Sequence, residues 1–236
     1  MVERKIYTSY TTPPSIKKES EMNVLLGCMS IVLTFTILVL VEKFFKKEGL
    51  FVWISVATIV ANILVCKSID VFGFVTNIGN VLFASSFLAT DIMNEKYGYK
   101  DSQKAIMMGA MSQIVFIIMT QLALLYTPSS VDIANESMKT LFALNLRVSI
   151  ASLLMFVLSN MLDISLYEKI KSKIPNKLWL RNNVSTIVSN CLENYCFTFL
   201  AFVGVYDIKT ILMIASVASI FEIIIAICDT PIFVYL

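Results

Sequence analysis

The composition of this 236-residue chain differs sharply from that of a water-soluble protein. It is 57% hydrophobic and 15% charged, has a formal net charge of +2, and contains no histidine, whereas an ordinary soluble domain is roughly 45–50% apolar and about 25% charged. The apolar residues lie in long uncharged runs, which excludes a soluble globular domain. The lack of histidine excludes imidazole-based catalysis and histidine-ligated zinc or haem. We therefore predict an integral membrane protein.

Seven segments of the sequence have the length and apolarity of membrane-crossing helices. Such a helix needs about 20 mostly apolar residues, with roughly 17–25 tolerated. In chain order the segments are 24–41, 50–66, 71–90, 105–131, 141–163, 183–206 and 210–232. The third segment contains Gly73, Asn77, Gly79 and Asn80, which would also suit a broken or re-entrant segment. We predict an all-α integral membrane protein, a bundle of about seven transmembrane helices.

The lysine and arginine residues outside these segments predict the orientation, because cytoplasmic loops are enriched in both. The loops after the first, third and fifth segments are the basic ones, with Lys43, Lys46, Lys47, Lys96, Lys100, Lys104, Lys169, Lys171, Lys173, Lys177 and Arg181. We therefore place these loops and the C-terminus inside, and the N-terminus outside, in a multi-pass protein of the cytoplasmic membrane. Residues 1–21 form a polar, loosely ordered tail, whose own basic residues oppose this orientation but are outweighed by three loops.

The sequence contains no pattern typical of a nucleotide, metal or catalytic site. It has neither a G-x-x-x-x-G-K motif nor a G-x-S-x-G motif, and its five cysteines form no C-x-x-C. We expect no cofactor, no bound metal and no enzymatic activity, although a pair of carboxylates is a catalytic arrangement that sequence cannot exclude.

Ionisable residues within the apolar segments are functional candidates, because a charge at the centre of a membrane helix costs roughly 2.5–3.5 kcal/mol on insertion scales. Glu193 and Glu222 lie about ten and twelve residues into their segments, near the predicted midplane. Asp91, Asp163 and Asp229 fall at the predicted cytoplasmic ends of the third, fifth and seventh segments, and Arg147 falls near the outer end of the fifth. The alternatives are solvation or pairing with the basic loops for the aspartates, and an interfacial position for Arg147.

Two segments share a short polar pattern. It reads Ser159-Asn160-Met161-Leu162-Asp163 in the fifth and Ser189-Asn190-Cys191-Leu192-Glu193 in the sixth. In each, the serine and the acid are four residues apart and so lie on one helical face. An amide beside a carboxylate offers donors and acceptors to a flat polar ligand, and the alternative is polar contact between helices.

Two stretches resemble the signatures of a known family. They are Ala89-Thr90-Asp91-Ile92-Met93-Asn94-Glu95-Lys96-Tyr97-Gly98 and Trp179-Leu180-Arg181-Asn182-Asn183-Val184-Ser185-Thr186, supported by Ala201-Phe202-Val203-Gly204 and Asp229-Thr230-Pro231. They resemble the queuosine precursor transporters, also catalogued as vitamin-uptake-like transporters, over roughly residues 50–232. The resemblance implies a transporter core of six helices over 49–236, preceded by an extra helix and basic loop over 22–48.

The resemblance implies uptake of 7-deazaguanines: queuine, 7-cyano-7-deazaguanine or 7-aminomethyl-7-deazaguanine. These bases feed queuosine synthesis in transfer RNA, so the expected partners are a small-molecule base and the lipid bilayer, without direct nucleic acid binding. The family's characteristic polar positions map onto Asp91, Glu95, Arg147, Asp163, Arg181, Asn182, Asn183, Ser185, Thr186, Ser189 and Asp229. Our candidate substrate-binding residues are Glu193, Asn190, Ser189, Glu222, Asn160, Asp163, Arg147, Asn183, Asp91 and Asp229.

The chemistry of a guanine-like base suits these residue types. A carboxylate can accept two neighbouring N–H donors of its edge, while asparagine or arginine can donate to its carbonyl. Glu193 and Asn190 on one face form such a set. Tyr195, Phe197 and Trp179 are stacking candidates, with lipid-facing positions as the alternative.

Three positions depart from the family. It more often has glutamine where Asn190 stands, aspartate where Glu193 stands, and lysine where Glu222 stands. These departures leave open which deazaguanine is carried and whether protons, sodium ions or no ion drives transport. The alternative function is a substrate-capture membrane subunit of an energy-coupling-factor importer, powered by separate ATPases. A homodimer and an ATPase partner both stay open.

Overall fold

The structure of the chain, a computed structural model, is a bundle of long helices with one small hairpin. It describes residues 14–71, 74–142 and 146–235, apart from the side chains of 14–19, 75, 232 and 235. The elements are α1 (Pro14–Leu64), β1 (Ser68–Val71), β2 (Phe74–Asn77), α2 (Asn80–Tyr97), α3 (Tyr99–Leu124), α4 (Asn135–Phe142), α5 (Leu146–Lys173), α6 (Leu178–Phe202) and α7 (Ile208–Tyr235). The helical membrane-protein class predicted from the sequence is confirmed.

Helix α1 consists of two arms that fold back on each other. The backbone leaves the helical conformation at Lys46, where φ is 53° and ψ is −132°. Asn23 Nδ2 in the first arm donates to the Asp70 carbonyl just beyond the second, at 2.9 Å, so the two arms run antiparallel. They correspond to the predicted segments 24–41 and 50–66. The first arm begins at Pro14, inside the predicted polar tail of 1–21; residues 1–13 lie outside the described residues.

The third predicted segment is not one helix. Instead of a helix over 71–90, β1 pairs antiparallel with β2, and α2 begins only at Asn80 and runs to Tyr97. Glycine is required at the join, because a Cβ on Gly79 would lie 2.8 Å from the Ala61 carbonyl oxygen. The alternative of a broken segment is therefore the better description. Gly73, which also suggested it, lies outside the described residues.

Later helices are displaced from the predicted segments. The fourth was expected to reach residue 131, but α3 ends at Leu124 and the short α4 follows. The fifth was expected over 141–163, but α5 runs from Leu146 to Lys173. Hydropathy locates the hydrocarbon-facing stretch, whereas α5 continues beyond it with lysines in its last turns. Asp163, predicted at the end of the fifth helix, therefore lies well before the end of α5.

The three basic loops meet at one end of the bundle. Lys47 Nζ lies 2.7 Å from Asp101 Oδ1, and Lys96 Nζ lies 2.8 Å from Glu42 Oε1. Lys171 near the end of α5 joins them through an ion pair with Glu95 at the end of α2. We call this the basic end, and the opposite one, with β1 and β2, the hairpin end. The predicted orientation requires all three basic loops to lie at the same end of the bundle, as they do. Which side of the membrane the basic end faces stays a prediction.

Helices α2 and α6 form the polar interior of the bundle. Among the described residues, four helical stretches are long and apolar enough to cross a membrane: Ser20–Leu64, Tyr99–Leu125, Leu146–Lys173 and Ile208–Pro231. Neither α2 nor α6 is among them, because their buried faces carry polar side chains. Helix α6 packs between α5 and α7, while α2 packs on α1, α3 and α7. The number of membrane crossings stays a prediction.

Candidate functional site

A cavity of about 530 Å³ lies between the second arm of α1, the hairpin, α6 and α7. Its size is in the range of small-molecule sites, about 300–1,000 Å³. We call it the outer cavity, because it extends from the middle of the bundle to exposed residues at the hairpin end. Its polar and aromatic lining comprises Asn62, Ser68, Thr76, Asn77, Asn80, Phe83, Ser152, Glu193, Asn194, Phe197, Thr198, Phe202, Tyr206, Thr210 and Glu222.

Two buried glutamates form the deepest part of the outer cavity. Glu193 of α6 is 6% exposed and Glu222 of α7 is 3% exposed. Asn194 Nδ2 donates to Glu222 Oε2 at 2.6 Å, which fixes that carboxylate. Within the described part of the chain, Glu193 Oε2 has no hydrogen-bond partner, and no lysine or arginine lines the cavity. The site therefore presents two buried carboxyl groups and unused hydrogen-bond acceptors to a ligand.

The turn between α6 and α7 shapes the mouth of the outer cavity. Phe202 and Tyr206 line it, and their rings lie 5.6 Å apart. Gly204 between them has φ of 83°, a conformation that glycine adopts without strain. Asp207 directly precedes α7, and its carboxylate accepts from Thr210 Oγ1 at 2.6 Å and Thr210 N at 3.3 Å. These bonds from Thr210 lower the pKa of Asp207.

Asn190 lies one helical turn from Glu193 toward the basic end. It is 1% exposed, and neither atom of its amide has a partner among the described residues. It is not part of the cavity lining, but it shares a face of α6 with Glu193. Ser189 points elsewhere: its hydroxyl donates to Asp163 Oδ1 at 3.0 Å and to the Ser185 carbonyl. In the α6 pattern, Asn190 is thus available to a ligand, whereas Ser189 makes a contact between helices.

The matching residues of α5, Ser159 and Asn160, bond within their own helix and to α2. Asn160 Nδ2 donates to the Phe156 carbonyl at 2.9 Å, and its Oδ1 accepts from Thr90 Oγ1 at 3.3 Å. Ser159 donates to the Met155 carbonyl. Asn160 is fully buried at the contact with α2 and does not line the outer cavity.

Asp91, Asp163 and Asp229 form a buried layer below the outer cavity. All three are at most 2% exposed, so the alternative that they are solvated is wrong. Asp91 and Asp229, predicted at helix ends, lie six residues before the ends of α2 and α7. Asp163 lies ten residues before the end of α5 at Lys173, about 15 Å along the axis. We call these three residues the acidic layer.

Helix α6 supplies a donor to each member of the acidic layer. Thr186 Oγ1 donates to Asp91 Oδ2 at 3.3 Å, and Asn182 Nδ2 donates to Asp229 Oδ1 at 3.4 Å. Ser189 serves Asp163, as described above. The layer therefore fastens α2, α5 and α7 onto α6.

A second polar network closes the basic end. Arg181 Nη2 lies 2.6 Å from Glu95 Oε1, and Arg181 Nε donates to the Tyr167 hydroxyl at 2.9 Å. That hydroxyl donates in turn to Glu95 Oε2 at 2.9 Å, and Lys171 Nζ lies 2.9 Å from the same oxygen. Arg181 also donates to the Pro175 carbonyl. We call Glu95, Tyr167, Lys171 and Arg181 the basic-end network.

Sequence reasoning missed two members of that network. Tyr167 and Lys171 follow Asp163 at intervals of four residues on α5, so all three lie on one helical face. That spacing was the available signal. It was hidden because the predicted fifth segment ended at residue 163.

The stretches that carried the family resemblance contact one another. Residues 89–98 supply Asp91 and Glu95, residues 179–186 supply Arg181, Asn182 and Thr186, and residues 229–231 supply Asp229. Asn183 Nδ2 adds a bond of 2.7 Å to Thr230 Oγ1 and another to the Trp179 carbonyl. Asn183 therefore fastens α6 to α7 rather than lining the outer cavity.

The remaining candidates lie apart from the outer cavity or on its wall. Arg147 at the hairpin end of α5 is exposed, and its Nε donates to the Leu200 carbonyl at 2.7 Å. It lines a separate, shallow cavity beside α6. Trp179 and Tyr195 are 53% and 40% exposed, whereas Phe197 lines the outer cavity. Asn62 and Ser152 line it too; as isolated polar residues in apolar runs, they gave no distinctive sequence signal.

Comparison with known proteins identifies the chain's relatives. Residues 77–236 match the family model described as "Putative vitamin uptake transporter". The chain belongs to this family. A relative from Bacillus subtilis (strain 168), named "Probable queuosine precursor transporter", is 40% identical over 177 residues, which cover 74% of this chain and 77% of the relative. No solved structure matches the chain.

The part shared with the vitamin uptake transporter family contains most of the site. Position 77 is the last residue of β2, so the match includes α2 to α7, the acidic layer, the basic-end network and both glutamates of the outer cavity. It does not include α1 or β1, which complete the cavity wall. The division of the chain at residues 48 and 49 stays a prediction.

Proposed function

We propose that this chain is a transporter that imports a 7-deazaguanine precursor of queuosine across the cytoplasmic membrane, and that the base binds in the outer cavity. The observation that carries the proposal is the pair of buried glutamates, Glu193 and Glu222, in a cavity that reaches the hairpin end of a vitamin uptake transporter family member. The name of the Bacillus subtilis relative supports the substrate class.

The lining of the outer cavity suits a flat base rich in hydrogen-bond donors. The unpartnered oxygen of Glu193 can accept from neighbouring N–H groups of the base, since a carboxylate accepts two parallel bonds. Amide donors from Asn190 or Asn194 can serve its carbonyl. Phe197 and Phe83 offer faces for stacking on the ring.

The two polar clusters suggest how the base would leave. In this conformation the acidic layer and the basic-end network lie between the outer cavity and the basic end. Release on that side requires α6 to part from α2, α5 or α7, since those helices are joined to it by Thr186, Ser189 and Asn182. We therefore expect α6 to be the element that moves most during alternating access.

The test is uptake by cells that cannot make the precursors. The chain is expressed, labelled queuine or either simpler precursor is supplied, and accumulation and queuosine in transfer RNA are measured. We expect uptake by the wild type and its loss in Glu193→Gln at unchanged protein abundance. The matched control is Glu136→Gln on the exposed α4, which should transport normally. Absence of wild-type uptake of every precursor would contradict the proposal.

A liposome experiment separates this function from a capture subunit. The purified chain, reconstituted alone, should accumulate labelled base without ATP. Binding of the base without any accumulation would instead support a substrate-capture subunit that needs separate ATPases.

A further inference from the structure

The ionisable side chains that line the outer cavity indicate the charge of its ligand. Glu193 and Glu222 are both buried, and both carboxyl groups line the same cavity. The lining contains no lysine or arginine among the described residues. Arg147, the cation on the neighbouring α5, is engaged with the Leu200 carbonyl and faces the separate shallow cavity. In the part of the chain that the structure describes, no lysine or arginine therefore lies in the cavity with the two carboxyl groups.

A neutral base can satisfy only part of this arrangement. Its donor edge needs one carboxylate, and the second would then stay buried beneath the ligand without a counter-charge. Burying an unpaired carboxylate is costly, and a hydrogen-bonded cation removes most of that cost. A ligand with both a donor edge and a positively charged group would match both glutamates.

The hydrogen bonds suggest which glutamate takes which part. Glu193 has the unpartnered oxygen and shares its helical face with the unpartnered amide of Asn190, a donor-and-acceptor set suited to the edge of the base. Glu222 is held in place by Asn194 through one oxygen, which leaves the other oxygen to face a cation. The volume of about 530 Å³ leaves room for a substituent on the base.

The geometry points to a cationic substrate: the outer cavity selects 7-deazaguanines that carry a protonated amine, with Glu193 on the base and Glu222 on the ammonium group. This inference rests on the proposed function. Of the candidate precursors, 7-aminomethyl-7-deazaguanine and queuine carry such an amine, while 7-cyano-7-deazaguanine is neutral.

The test compares ligands of similar size and different charge. Uptake of labelled 7-aminomethyl-7-deazaguanine by wild-type cells is measured in competition with unlabelled 7-hydroxymethyl-7-deazaguanine, its neutral isostere, and with the 7-cyano compound. We expect each neutral base to compete at least about tenfold less well than unlabelled 7-aminomethyl-7-deazaguanine, the effect of losing a charge-assisted hydrogen bond. Thermal stabilisation of the purified chain by each base gives a second readout that does not need transport.

A variant then assigns the selectivity to one residue. In Glu222→Gln, which preserves the shape of the side chain, the ratio of aminomethyl to hydroxymethyl affinity should fall toward one. Glu136→Gln should keep the wild-type ratio. Equal competition by neutral and cationic bases in the wild type would overturn this inference and leave the proposed function standing, whereas uptake of no base at all would overturn the proposed function itself.

Discussion

The side chains of α6 explain why three aspartates can be buried at one depth. Thr186, Asn182 and Ser189 each donate to an aspartate on a different helix. A buried acceptor that loses its donor keeps its desolvation penalty, about 1–3 kcal/mol. Single hydroxyl and amide groups of α6 therefore have a large effect on the packing of the whole bundle.

Replacing one of these hydroxyls tests that role. Thr186→Val keeps the shape of the side chain but removes the donor to Asp91 Oδ2, so we expect a loss of about 1–3 kcal/mol of stability and a lower Tm in detergent. The control is Thr120→Val, whose hydroxyl bonds only to carbonyls of its own helix, those of Phe116 and Ile117. It should change the Tm little. Equal losses in both variants would contradict the assigned role.

The two glutamates of the outer cavity were easier to predict from the sequence than the residues around them. Glu193 and Glu222 stand out because they interrupt apolar runs, and the structure places both in the outer cavity. Their surroundings do not stand out: whether Asn194 or Asn62 faces the cavity depends on how its helix is rotated. Arg147 stood out equally in the sequence, yet it lies at the hairpin end against a carbonyl.

At the scale of elements, the predictable helices are those that face lipid. Two arms of α1, α3, α5 and α7 were found because their exposed faces are apolar. The central helices were harder: α2 was displaced by nine residues at its start, from 71 to 80, because apolar strand residues of the hairpin extend the same hydrophobic run. A periodicity of hydropathy does not distinguish a short buried strand from a helix segment.

Close contact between three elements depends on one glycine. A Cβ on Gly109 of α3 would lie 2.9 Å from Phe156 Cζ of α5 and 3.0 Å from Ile54 Cγ2 in the second arm of α1. We therefore expect Gly109→Ala to destabilise the chain by about 1–3 kcal/mol, since inserted carbon forces packed neighbours apart. Thermal unfolding in detergent measures the effect.

A second glycine provides the matched control for that measurement. A Cβ on Gly27 in the first arm of α1 would meet nothing within 4 Å. Gly27→Ala should therefore leave the Tm unchanged or raise it, because alanine is favoured over glycine in a helix interior by roughly 0.5–1 kcal/mol. A Tm of Gly109→Ala at or above that of Gly27→Ala would show that α3 and α5 have room to separate.

For the whole molecule, the two ends have different characters. The basic end is closed by ion pairs and the basic-end network, whereas the outer cavity reaches exposed residues at the hairpin end. The positive charge from which the orientation is predicted and the network that closes the bundle thus lie at the same end. The positive charge of the loops could be predicted from the sequence. The closing of the basic end could not, since it depends on contacts between α2, α5 and α6.

Labelling from either side of the membrane tests the predicted orientation. In a variant without the five native cysteines, Ser68→Cys at the hairpin end should react with a membrane-impermeant maleimide in intact cells. Lys100→Cys at the basic end should react only after permeabilisation. Both positions are exposed, so the difference reports the side of the membrane. Labelling of Lys100→Cys alone in intact cells would reverse the orientation.

The hairpin has a consequence for the path of a base through the membrane. Strands β1 and β2 pair only with each other among the described residues, so backbone groups along their outer edges depend on side chains such as Asn23 and on water. Hydrocarbon cannot supply such partners. We therefore expect water to reach the edges of the hairpin, which would make the water-free part of a solute's path shorter than the helices. A base would keep part of its hydration shell beside Ser68 and Thr76, and lose the rest only near Glu193, where protein groups replace it.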